Sequence, residues 1–254
     1  MEAQDICAYV APQNLLRERV VLITGAGGGI GRAAALAFAA HGATCVLLGR
    51  QVPPLESLYD EIIAAGGPEP AIYPLDLQGA AAHDYEELGL RVNEQLGRLD
   101  GVLLNAAMLG TLGPIEHADG EEFARVLQVN VTSSFLLMQS LLPLLQARED
   151  ASVVFTSAQV ARQAKAYWGG YAVSKFASEG LMQLLADEGT ASAVRFNSIN
   201  PGPVRTRLRA NAFPAEDPSS LATPASIMPS YLYLMGPDSV AVNGASIDAQ
   251  EQPT

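Results

Sequence analysis

Five of the seven residues from Gly25 to Gly31 are glycine, and they follow directly on the apolar run Arg19–Thr24, RVVLIT. A helical pattern begins at Ile30 and runs to about Ala40. A continuous apolar strand, a glycine turn and a helix, in that order, open a βαβ unit. The remainder of the chain repeats the alternation. Ala43–Leu48, Ala71–Leu75, Asp100–Leu104, Ser152–Thr156, Val194–Ile199 and Ala245–Asp248 read as strands. Between them Pro54–Ala65, Ala81–Leu96, Gly120–Gln146, Gly169–Glu188 and Pro224–Met235 read as helices. Strands alternating with helices call for an α/β fold with a mostly parallel sheet covered by helices on both faces. Arg205–Ala222, polar and proline-rich, is expected to be irregular, and residues 1–17 to form a loose N-terminal arm. Nothing divides the rest, so 18–254 is read as one domain.

Within that frame a few residues carry chemistry. Tyr171 and Lys175 lie four apart in a helical segment, which puts them on one face. A tyrosine is a poor acid or base near neutrality, since its ordinary pKa is about 10. A nearby ammonium favours the phenolate and lowers that value. The pair therefore suits proton exchange with an alcohol or ketone oxygen. In Thr24-Gly25-x-x-x-Gly29-x-Gly31, glycine lets backbone amides and a helix N-terminus approach a pyrophosphate. The second strand runs into Gly49-Arg50, where an acid would otherwise hold the ribose hydroxyls of NAD. Arg50 suits a 2′-phosphate instead. This favours NADP(H) and leaves NAD(H) open.

Composition narrows the classes further. A formal charge of −12 argues against nucleic acid and against an anionic membrane surface. Cys7 and Cys45 stand in unrelated contexts, and His41, His83 and His117 are isolated, so no disulfide or metal site is expected. Phe135–Leu145 is broken by Gln139, Ser140 and Pro143 and is too short for a bilayer. MEAQDICAYV lacks the plan of a secretory signal, so a cytoplasmic protein is expected.

Taken together, Thr24-Gly25-x-x-x-Gly29-Ile30-Gly31, Asp76-Leu77, Asn105-Ala106-Ala107, Tyr171-x-x-x-Lys175 and Pro201-Gly202-x-Val204-x-Thr206 resemble the short-chain dehydrogenase/reductase superfamily, over Leu16 to Ala249. The segments Ala166–Gly180, Ala212–Pro218 and Ile227–Tyr231 are similar to the bacterial YciK-type oxidoreductases within it. The resemblance implies a single-domain Rossmann-type fold and an NAD(P)-dependent oxidoreductase that moves a hydride between NADP(H) and a carbonyl or alcohol. Gly25, Gly29, Ile30 and Gly31 would line the pyrophosphate, Asp76 and Leu77 the adenine, and Val204 and Thr206 the nicotinamide carboxamide. Asn105 would stabilise the sheet beside the cofactor. Tyr171 would be the acid/base, Lys175 would hold the ribose and lower the Tyr171 pKa, and Asn130 would fix a water in a proton relay.

Two departures accompany this. Ala107 replaces a glycine, a small change. The catalytic serine of the family falls thirteen residues before the tyrosine, and 171 − 13 = 158 is Ala158. Ser157 is one residue early, and in a regular strand it would face the wrong way. It could serve only if the strand has broken or bulged there. A second reading, a dinucleotide-binding sensor or subunit partner with weak catalysis, draws on Ala158; Asn130, Tyr171 and Lys175 speak against it. Arg205, Arg207 and Arg209 are expected either to attract an anionic substrate or cofactor phosphates, or to be a solvated basic cluster. The resemblance also implies a homodimer or homotetramer paired through the helices carrying Asn130 and Tyr171.

Overall fold

In the computed structural model, which describes residues 6–189 and 192–250, seven strands form one sheet. The strands are β1 Val20–Thr24, β2 Thr44–Gly49, β3 Ala71–Pro74, β4 Gly101–Leu104, β5 Ala151–Thr156, β6 Val194–Asn200 and β7 Ser246–Asp248. Their order is β3-β2-β1-β4-β5-β6-β7, and every neighbouring pair is parallel. The helices are α1 Gly29–Ala40, α2 Val52–Ala64, α3 Ala82–Leu96, α4 Gly120–Leu127, α5 Ser133–Gln146, α6 Gly169–Glu188, α7 Arg207–Ala212 and α8 Met228–Met235. The chain starts at the sheet's middle with β1, runs outward to β3, then returns to β4 on the other side. The gap between β1 and β4 is therefore the topological switch point, where ligands bind at the carboxyl ends of such strands.

Successive strand residues point to opposite faces, and both faces are buried. Val21 and Ile23 of β1 enter one core with Phe38 of α1 and Leu234 of α8. Val20 and Leu22 enter the other with Leu88 of α3, Leu141 of α5 and Met182 of α6. This explains why the strands read as unbroken apolar runs in sequence.

Three local readings change. The stretch expected as a single helix over Gly120–Gln146 is interrupted by a π turn at Gln128–Thr132, which contains Asn130. The irregular segment after Pro201 includes the short helix α7, capped by the Thr206 side chain accepting from Arg209 N. Of the N-terminal arm, residues 1–5 lie outside the described residues, whereas the following ones are packed rather than loose. Ile6 and Leu16 are buried, Tyr9 Oη donates to Asp238, and Cys7 Sγ donates to Asp248 O.

Candidate active site

At the carboxyl edge, Thr24 closes β1 and binds the sheet's centre together. Its hydroxyl oxygen accepts from Asn105 N at 2.9 Å and Ala106 N at 3.0 Å. Asn105 answers with Nδ2 donating to Thr24 O at 3.2 Å, and its Oδ1 accepts from Thr156 Oγ1 at 3.3 Å. One asparagine thus joins the ends of β1, β4 and β5 at the switch point.

The glycine turn is folded against this point. Gly25 takes a left-handed φ of 68°. A Cβ on Gly31 would lie 2.3 Å from Gly25 O and 2.8 Å from Asn105 Nδ2, so only glycine lets α1 approach so closely. α1 starts with no side-chain cap and no acidic residue in its first turn. Its first amides, around Gly29, Ile30 and Gly31, are therefore left without intrahelical partners and the positive helix end is uncompensated. These are the properties of a pyrophosphate cradle. Ala26 N donates to Leu48 O, which brings the turn beside the end of β2. Just beyond, Arg50 is exposed and has no hydrogen bond or ion pair among the described residues. Asp76 is exposed after β3 and accepts from Gln78 N, while Leu77 is buried. From the other side Thr206 reaches the turn, since its Cγ2 lies 3.3 Å from where a Gly29 Cβ would be. Val204 is buried and bridges to Ala222.

Tyr171 and Lys175 sit in the first two turns of α6, both buried. Lys175 Nζ donates to Thr156 O at 2.7 Å and stands 5.6 Å from the centre of the Tyr171 ring. Burial pushes the lysine down to about 8, with the Glu179 carboxylate opposing the shift. Burial also raises Tyr171 well above the ordinary phenol range. The expectation that the ammonium lowers the phenol is thus not met. Burial is the cause, because the phenolate would be charged in a poorly hydrated place.

Asn130 is buried in the π turn. Its Oδ1 accepts from Met108 N at 2.7 Å, and its Nδ2 donates to Met108 O at 2.9 Å and to Ser174 Oγ at 2.8 Å. It fastens the loop after β4 to α6, three residues from Tyr171. The Asn130 carbonyl accepts from Ser134 Oγ and Ser178 Oγ.

Ser157 is not drawn in as these residues are. Its N donates to Ile199 O at 2.7 Å, which continues the ladder past β5, and Ala158 is extended at φ −162° and ψ 159°. No break or bulge redirects it, so alternation sends Ser157 and Ala158 to opposite sides. Ala158 packs into the cluster around Tyr171. Ser157 Oγ is buried and has no hydrogen-bond partner among the described residues.

The structure adds residues that the motifs did not single out. Trp168 lies against Tyr171, and Phe213 lies against Trp168, with ring centres 5.8 Å apart in each pair. A signal existed, because a tryptophan three residues before a tyrosine in a helix shares its face. Phe213 had none. Two of the three arginines after Pro201-Gly202 are committed: Arg209 forms a two-pronged pair with Glu216 and covers the Phe213 ring, and Arg205 Nε donates to Pro218 O.

The family model for short chain dehydrogenase matches residues 19–217. The uncharacterized oxidoreductase YciK of Escherichia coli is 48% identical over 242 residues, spanning 95% of this chain and 96% of that one. A short chain dehydrogenase of Shigella flexneri, solved complexed with NADP, is 47% identical with a TM-score of 0.92 and covers 94% of this chain and 100% of its own. One from Escherichia coli CFT073, complexed with NADPH, is 48% identical with a TM-score of 0.92, over 94% and 100%.

Proposed function

The chain belongs to the short-chain dehydrogenase family, and we propose that within it this protein is an NADP(H)-dependent carbonyl reductase or alcohol dehydrogenase using Tyr171 as acid and base. The observation that carries the reading is the buried Tyr171–Lys175 pair beside a glycine turn shaped for a pyrophosphate, on one edge of the sheet. NADP rather than NAD is favoured by the unpaired Arg50 and by the complexes of the two similar dehydrogenases. The turn Gly25–Gly31 would hold the pyrophosphate, Arg50 the 2′-phosphate, and Asp76 with Leu77 the adenine. Val204, Thr206 and Lys175 would hold the nicotinamide end. When bound, the cofactor supplies or accepts a hydride.

The residues of the chain handle the proton. With its pKa raised by burial, Tyr171 keeps its proton at neutral pH and delivers it to a carbonyl oxygen as negative charge develops there. Lys175, about 8, is still largely an ammonium at pH 7 and favours the tyrosinate left behind. Asn130 holds the Met108 loop and α6 in register around both. Tyr171→Phe is expected to abolish NADPH oxidation by carbonyl compounds while the dissociation constant for NADPH is kept. Undiminished turnover would refute the assignment, and tight NADPH binding without turnover by the wild type would favour the sensor reading.

A second hydroxyl donor to the substrate oxygen is the open point of the site. Ala158 cannot donate. Ala158→Ser is expected to raise turnover, by up to about a hundredfold, the lower end of what losing one such donor costs. Ser157→Ala separates the alternatives: lost activity shows Ser157 acting as catalytic donor, and retained activity leaves Tyr171 as sole donor. We read the exposed apolar residues of α5 and α6, Phe135, Val173, Phe176 and Leu184, as the faces through which copies of the chain pair.

A further inference from the structure

Residues 206–221, between β6 and α8, carry a bonding network of their own. Among the described residues, every hydrogen bond and ion pair they make stays within 205–221. The ends of the segment are tied together, since Val204 bridges to Ala222 and Arg205 N donates to Ala222 O at 2.9 Å. Packing is therefore what seats it on the rest of the protein. Thr206 touches the glycine turn at Gly29, Leu208 packs into the cluster around Tyr171, and the Phe213 ring lies against Trp168.

Of these contacts the one between rings has a brace behind it. Arg209 and Phe213 are four apart, and Phe213 N donates to Arg209 O at 2.9 Å. The guanidinium lies over the ring, 3.8 Å from its centre. The chain then turns back, with Glu216 N donating to Phe213 O at 3.1 Å, and the Glu216 carboxylate accepts the Arg209 fork in two bonds of 2.6 Å. The guanidinium holds Glu216 below the ordinary carboxylate range, so the pair stays charged at neutral pH. Trp168, on the other side of the contact, is fixed by its own loop. Tyr167 before it has φ of 73°, which a bulky residue rarely adopts, and the Tyr167 carbonyl accepts from Gly113 N at 2.9 Å. Trp168 in turn stands 5.8 Å from the Tyr171 ring, centre to centre.

We propose that Arg209 and Glu216 are positioning residues: their ion pair orients Phe213 on Trp168, and this seats residues 206–221 against Tyr171 and the glycine turn together. Both act through the two rings and not on the reacting atoms. The brace lets a segment with no hydrogen bond to its seat hold Leu208 and Thr206 at the two ends of the cleft. The role at the cleft rests on the reading of Tyr171 and the glycine turn given above, but the seat itself is measurable without cofactor or turnover.

Trp168 is the only tryptophan of the chain, so its fluorescence reports on the seat alone. Acrylamide quenching is expected to rise by about twofold or more in Arg209→Ala, in Glu216→Gln and in Phe213→Ala. Arg209→Lys, which keeps the cation but not the fork, should fall between these and the wild type. Circular dichroism melting establishes that the variants fold, and Glu216→Gln, the mildest, decides the matter if Arg209→Ala does not fold. Unchanged quenching in the folded charge variants overturns the proposal, even if their melting temperature falls, because the pair would then be structural only. NADPH titrated into the same proteins reads the cofactor end through energy transfer from Trp168. Its dissociation constant should be weaker by about threefold or more in Arg209→Ala. An equal constant overturns the reach of the pair to the glycine turn. No binding of NADPH by the wild type, with the quenching pattern intact, upholds the seat and sinks the cofactor reading instead.

Discussion

Burial pulls the Lys175 pKa down to about 8, and the group that opposes it is Glu179, one helical turn further along α6. Glu179 is itself buried, and its two oxygens accept from Ser198 Oγ at 2.8 and 2.9 Å, which fixes the carboxylate against β6. The sign of its influence is definite. The carboxylate raises the Lys175 pKa, so Glu179→Gln lets desolvation lower it further from about 8. Activity that needs the ammonium is lost as pH rises through that value. The alkaline limb of kcat/KM should therefore move to lower pH in Glu179→Gln, and identical limbs in the two proteins would exclude the coupling. Spacing reveals Tyr171, Lys175 and Glu179 as a row four apart in the sequence. Burial is what perturbs Tyr171 and Lys175, and it depends on β5, β6 and β7 arriving beside the helix, which no local pattern contains.

A π turn is a costly way to pass from α4 to α5, and such turns concentrate at functional positions. Here it puts Asn130 where one amide meets both backbone groups of Met108 and the hydroxyl of Ser174. Asn130→Ala removes three hydrogen bonds and orphans both backbone groups of the half-buried Met108, while Ser174 Oγ keeps its bond to Tyr171 O. A loss of about 2–4 kcal/mol in urea unfolding is expected, at roughly 1 kcal/mol per bond plus desolvation of the orphaned groups. A loss below 0.5 kcal/mol would show that the fastening is not structural. The strands of this protein were legible to within a residue or two, because runs such as VVLIT and SVVFT are buried on both faces and leave no alternation to misread. The π turn was not, since QVNVT has the same residue types as the helix around it. Nor was α7, whose polar, proline-flanked sequence becomes helical under a Thr206 cap and an Arg209–Glu216 pair. The offset between Ser157 and Ala158 could be counted in sequence; that the ladder stays regular there required the Ser157–Ile199 bond.

At the scale of the molecule, half of the surface of some large apolar side chains remains in water: Phe135 is 50% exposed and Leu184 52%, on α5 and α6. If copies pair there, Leu184→Glu places a charge in an apolar contact and should shift the elution volume in size-exclusion chromatography toward the monomer. An unchanged elution volume would place the interface elsewhere. The same scale holds the bonds that join the two ends of the chain. Tyr9 reaches Asp238, Cys7 reaches Asp248, and Ser230 reaches the carbonyl of Ile6. Contacts this distant in sequence are the slowest to form. On a ribosome, where domains otherwise assemble from the amino terminus, Ile6, Cys7 and Tyr9 must wait uncovered until the segment from Ser230 to Asp248 has been synthesised. Emergence of that segment is thus what seals the fold at that edge.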